Sequence, residues 1–160
     1  MSPSFLKYGH RRRGGAGLTT AEQIPLERAL VAQRHYGTDR YVDSKLAAAG
    51  NGDSWGGAYL TIEAAINASL ADDRIHVAPL HVETVTAAAG LALDVAGLSI
   101  IGYGNGNRRP QINFTTAVGA SMRISAANIL MQNFRFTGGL DALTSPIDLQ
   151  AADCMLLDIV

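Results

Sequence analysis

The chain has 160 residues, 48% of them hydrophobic and 17% charged, which allows one domain with a real core and excludes both two ordinary domains and a wholly disordered chain. Net charge is −1 but unevenly spread: residues 1–40 hold seven Lys/Arg against three Asp/Glu, and residues 41–160 hold six against eleven. A basic arm on an acidic body calls for an acidic docking surface. The single cysteine, Cys154, excludes an intrachain disulfide and a thiolate zinc site.

No apolar run reaches the roughly 18 residues of a membrane span. The charged stretch His10 to Arg13 is followed by no apolar segment of the kind a secretory leader carries. The expectation is a chain folded in a reducing cytoplasm, with no membrane partner. The 17 glycines and 5 prolines suit a turn-rich β protein better than a helical bundle.

Residues 1–18 are rich in Gly and Arg and lack periodicity, so they read as an extended arm. Phe5, Leu6 and Tyr8 are candidate anchors in a partner's groove. Arg11, Arg12 and Arg13 form the sharpest charged feature. They suit acidic side chains on a protein partner, a solvated tail, or phosphates. The scarcity of neighbouring aromatic residues and the acidic body argue against nucleic acid.

Residues 19–36 read as a short helix with Thr19 or Thr20 as cap and Pro25 at a first turn. Its apolar stripe, Leu26, Ala29 and Leu30, is narrow, so it needs a docking surface, and Leu26 and Leu30 join the partner-binding candidates. Residues 37–58 read as a connector with a short strand near Tyr41-Val42-Asp43 and turn chemistry from Asn51 to Gly57. Trp55 is expected over a core edge.

Thr61 caps the clearest helix, residues 61–70. Ile62, Ala65, Ile66, Ser69 and Leu70 fall on one face of it. Ile75 and Val77 then alternate with polar neighbours as a strand ended by Pro79. After Leu80 the apolar period becomes two, and three stretches superimpose. These are Leu91-x-Leu93-x4-Leu98-x-Ile100-x-Gly102, then Met122-x-Ile124-x4-Ile129-x-Met131-x-Asn133, then Ile147-x-Leu149-x4-Cys154-x-Leu156-x-Asp158. The copies are offset by 31 and then 25 residues. Each reads as two short strands joined by a corner, with Leu98, Ile129 and Cys154 in one inward column. Such repeats predict stacked coils, because one coil cannot cover its own apolar face.

From Tyr59 onward the chain resembles the opening of pectin-lyase-like proteins. The matching residues are Tyr59, Thr61-Ile62-Glu63-Ala64-Ala65-Ile66, Ile75-His76-Val77-Ala78-Pro79, Glu83, and Leu98-Ser99-Ile100-Ile101-Gly102-Tyr103-Gly104. The resemblance covers about 100 residues. It implies an all-β right-handed parallel β-helix over residues 59–160, incomplete at its far end, with the helix plugging its beginning. Residues 1–58 then form a particle-anchoring arm, short helix and connector. This arrangement is similar to bacteriophage tailspikes and head or tail appendages, which implies a virion structural protein, capsid or tail proteins as partners, and a homotrimer.

Two alternatives stand beside it. One is a depolymerase of host surface polysaccharide with its active site beyond residue 160. The other is a capsid decoration protein complete at this length.

Catalytic chemistry is hard to place. Glu83, Asp94, Asp148, Asp153 and Asp158 are the acidic candidates, but no pair is set by spacing, and glycoside hydrolysis needs two carboxyls at a definite separation. His76 and His81 have only Glu83 near as a further metal ligand. Cys154 reads as a small core hydrophobe. Gly102 to Asn107 follows a strand as a phosphate loop would, but Arg108-Arg109-Pro110 prevents the helix such a loop needs. No catalytic residue, metal or cofactor is assigned.

Overall fold

The computed structural model describes residues 37–114, 117–139 and 143–160. The first strand, β1 (Asp39–Val42), is followed by a 3-10 turn at Trp55–Gly57 and by helix α1 (Ile62–Ala68). Then come β2 (Arg74–Val77), β3 (Val82–Thr84), β4 (Leu91–Leu93) and β5 (Ser99–Gly102). After a 3-10 turn at Gly106–Arg108 follow β6 (Gln111–Asn113), β7 (Met122–Ile124), β8 (Leu130–Gln132) and β9 (Arg135–Thr137). The last two strands are β10 (Ile147–Leu149) and β11 (Met155–Leu157).

All pairings are parallel, and they sort the strands into three sheets. One has the order β1-β2-β5-β8-β11, the second β4-β7-β10, and the third β3-β6-β9. The expected all-β right-handed β-helix is therefore corrected. The described residues form three small separate parallel sheets and one helix, and no continuous coil or solenoid is shown. The physical reason lies in strand length. Each strand has three or four residues before a turn, so ladder hydrogen bonds close within a sheet and none carries on into the next.

The spacing of the three stretches does appear as strand register. Leu91 pairs with Met122 and Met122 with Ile147, while Ile100 pairs with Met131 and Met131 with Leu156. Leu98, Ile129 and Cys154 each stand one residue before a paired position, with Leu130 N–H donating to the Leu98 carbonyl and Met155 N–H to the Ile129 carbonyl. Leu98 and Ile129 are buried, and half-buried Cys154 packs against the same core. Alternate residues of each strand enter this core, and burying an Ile or Leu there contributes about 1.5–3 kcal/mol.

Helix α1 lies against β1, β2 and β4. Ile62, Ala65 and Ile66 are buried beneath it. Leu70, expected on the same face, is exposed, because the helix stops at Ala68 and Ser69 already has extended backbone. At the other side of the core, β9, β10 and β11 are the outermost strands of their sheets. Exposed apolar side chains gather here: Leu149, Met155, Leu157 and Val160.

The corners before β2, β5, β8 and β11 share one device. Asp72, Gly97, Asn128 and Asp153 all have left-handed backbone, with φ of 67, 76, 61 and 56°. Asp72 N–H donates to the Ala96 carbonyl, Gly97 N–H to Ala127 and Asn128 N–H to Ala152, so the four corners lie in a row. Gly, Asn and Asp are the residues that tolerate this conformation. At Gly97 a side chain would also run into the Asp72 carboxylate.

Candidate functional site

The predicted partner-binding residues Phe5, Leu6, Tyr8, Arg11, Arg12, Arg13, Leu26 and Leu30 lie outside the described residues. Within those residues, three polar constellations use ionisable or aromatic side chains, and each grows from the β1–β5 region.

The first is buried. Glu83 is the inward residue of β3, in the column that Ile112 and Phe136 occupy on β6 and β9. A carboxylate in that position must be satisfied on the spot. Its Oε2 accepts from Ile62 N–H at 2.7 Å and lies 3.0 Å from His81 Nε2. Ile62 is the first residue of α1, so the carboxylate also meets the positive end of a short helix. Ser44 N–H donates to His81 Nδ1 at 3.1 Å, which makes Nδ1 the acceptor and puts the proton on Nε2, facing Glu83.

Ser44, His81 and Glu83 thus bring together the residue types of a nucleophilic triad, but without its connections. The imidazole takes the serine's backbone N–H, and the Ser44 hydroxyl accepts from Val82 N–H at 3.3 Å. With both ring nitrogens engaged, the imidazole has no lone pair to accept the hydroxyl proton. What the arrangement does is tie the connector, the start of α1 and β3 together.

The second constellation is also structural. Asp73 is buried, accepts from Thr38 N–H and from Leu70 N–H at 3.0 Å, and pairs with Arg40 Nε at 3.3 Å. Arg40 heads the inward column that continues as Ile75, Ile100, Met131 and Leu156.

The third lies on the outer face of the five-stranded sheet. His76 stacks on Tyr41 with centroids 5.1 Å apart, and its Nδ1 and Nε2 lie 2.8 Å from Tyr103 Oη and 2.9 Å from Asp39 Oδ1. Trp55 meets Tyr41 at 4.8 Å and Tyr103 at 5.8 Å, edge to face in both pairs. Tyr41, Trp55, Tyr103 and His76 therefore close a cycle of four rings in which His76 is buried. Trp55 and Tyr103 remain 42% and 40% exposed, enough to offer ring surface to solvent.

The acidic candidates do not converge. Glu83 is buried at the head of its column, and Asp94, Asp153 and Asp158 are exposed at turns. Asp148 pairs with Arg123 at 3.0 Å on the surface of the β4-β7-β10 sheet. His76 and His81 have separate partners, and among the described residues no group of three or more His, Cys, Asp or Glu could hold a metal ion.

Sequence reasoning missed Asp39, Arg40 and Asp73 as partners of the sheet. The one signal for them was Asp72-Asp73 preceding a strand, which marks a turn and does not reveal that Asp73 turns inward. No family model, curated protein or solved structure matches this chain.

Proposed function

We propose that the chain is a structural protein of a bacteriophage virion, attached to the head or tail through its basic N-terminal arm and assembled as a homotrimer. The observation that carries the reading is the use made of the buried ionisable groups. Asp73 and Glu83 accept backbone N–H groups of Thr38, Leu70 and Ile62, and His81 accepts that of Ser44. Polar chemistry in the interior is spent on holding the chain in place, as suits a part whose work is shape. The arm, with seven Lys/Arg against three Asp/Glu in residues 1–40, supplies a docking element for an acidic surface.

The test is deletion of residues 1–36 in the producing phage, with protein incorporation into purified particles measured by mass spectrometry. The expected result is loss of the protein from particles. Unchanged incorporation overturns the anchoring role.

A further inference from the structure

Six arginines lie among the described residues. Arg40, Arg74 and Arg123 each face a carboxylate, Asp73 at 3.3 Å, Asp39 at 3.8 Å and Asp148 at 3.0 Å. Arg108, Arg109 and Arg135 form no ion pair among those residues. All three belong to one corner: Arg108 and Arg109 end the loop from β5 to β6, and Arg135 opens β9, which pairs with β6. The corner is closed by Arg135 N–H donating to the Pro110 carbonyl at 2.9 Å.

Neutral oxygens hold two of these guanidinium groups. Arg135 Nη2 donates to Gln111 Oε1 at 2.6 Å and Nη1 to Asn107 Oδ1 at 3.5 Å, while Arg109 Nη1 donates to the Asp158 carbonyl at 3.0 Å. Asn107 and Gln111 orient the Arg135 fork without neutralising it. The Nε atoms of Arg109 and Arg135 are buried and have no hydrogen-bond partner among the described residues. A guanidinium keeps its charge at any ordinary pH, so two half-buried ones with no carboxylate against them among the described residues carry a desolvation cost that a bound anion relieves. A shielded, unpartnered polar atom calls for an explanation, and a bound ion is one that also answers the charge. Each guanidinium keeps further N–H donors of the kind that pair with the acceptor oxygens of an oxyanion.

We infer that Arg109 and Arg135 form an oxyanion site, accepting a carboxylate, sulfate or phosphate group that arrives as a free ion or on an acidic segment of a protein. The inference stands independently of the virion reading. The test is calorimetric titration of the full chain at low ionic strength with sodium sulfate and, separately, poly-L-glutamate, against sodium chloride at matched ionic strength. It compares the parent with Arg109→Gln, Arg135→Gln and the control Arg123→Gln. The arm's Arg11, Arg12 and Arg13 are present in every variant, so the difference between variants isolates the corner.

A roughly tenfold or greater weakening of sulfate binding in both corner variants, with the control unchanged, establishes a site for free oxyanions. The same pattern with poly-L-glutamate alone identifies an acidic segment as the source. Equal binding by all four proteins overturns the inference. A second readout needs no variant: in the parent protein, the bound anion shifts the Nε–H resonances of Arg109 and Arg135 and leaves that of Arg123 in place. Unmoved Arg109 and Arg135 resonances at saturating sulfate and poly-L-glutamate also overturn it.

Discussion

Glu83 occupies a position that alternation assigns to an apolar side chain, and the next two strands place Ile112 and Phe136 there. Replacing it with alanine leaves Ile62 N–H and the His81 Nε2 proton without their acceptor in a buried setting. Each orphaned donor costs about 1–3 kcal/mol, so Glu83→Ala is expected to lose on the order of 3 kcal/mol. The check is the urea midpoint, with Arg123→Ala as a surface comparison expected to lose less than about 1 kcal/mol because its Asp148 pair is largely solvated. At this scale the sequence was legible where residues obey the local period. Leu91, Leu93, Leu98, Ile100, Met122, Ile124 and Ile129 of the first two stretches are buried as the period assigns them, whereas in the third Ile147, Cys154 and Leu156 are half-buried and Leu149 is exposed. Glu83 and His81 were illegible as a pair, because the partner that makes a buried carboxylate tolerable lies on another segment, at Ile62 N–H.

Helix α1 carries its own instructions. Thr61 has extended backbone, and its Oγ1 accepts from Ala64 N–H at 3.1 Å, satisfying one of the helix's free donors. Glu63 extends past the helix, its Oε2 accepting from Ala92 N–H at 3.0 Å. Thr61→Ala is expected to cost about 1 kcal/mol, read as a shift in the thermal or urea midpoint, while Thr61→Ser stays near the parent. Cap and apolar face were both readable from the residues, since each depends on neighbours within one or two turns. The far end of the helix was not. Leu70 continues the helical spacing but lies beyond a chain that has turned so that Leu70 N–H can reach Asp73 at 3.0 Å.

For the molecule as a whole, the order of strands predicts a gradient of stability. In the five-stranded sheet β5 lies between β2 and β8, whereas β11 is paired on one side only, to β8. The inward column is also less covered there, with Leu156 half-buried and its partners Ile100 and Met131 buried. Hydrogen exchange followed by NMR is expected to find the hydrogen-bonded amides of β5 protected at least about tenfold more than those of β11. Equal protection would mean that another surface of the chain or a second copy covers β11.

The residues alone determined the paired short strands of the three stretches, the spacing of the corner between them, and the capped helix, while the left-handed backbone at Gly97, Asn128 and Asp153 was read only from the structure. The strands and the helix follow from periods of two and 3.6 residues, and the left-handed turns use the backbone preferences of Gly, Asn and Asp. Tertiary structure alone decided that β1 joins β2, that the strands divide into one five-stranded and two three-stranded sheets, and that Arg109 and Arg135 lie at one corner with no ion pair among the described residues. Pairing partners are chosen by which distant segments together bury the most apolar surface and satisfy the most backbone donors, and neither quantity is a property of any local stretch of chain.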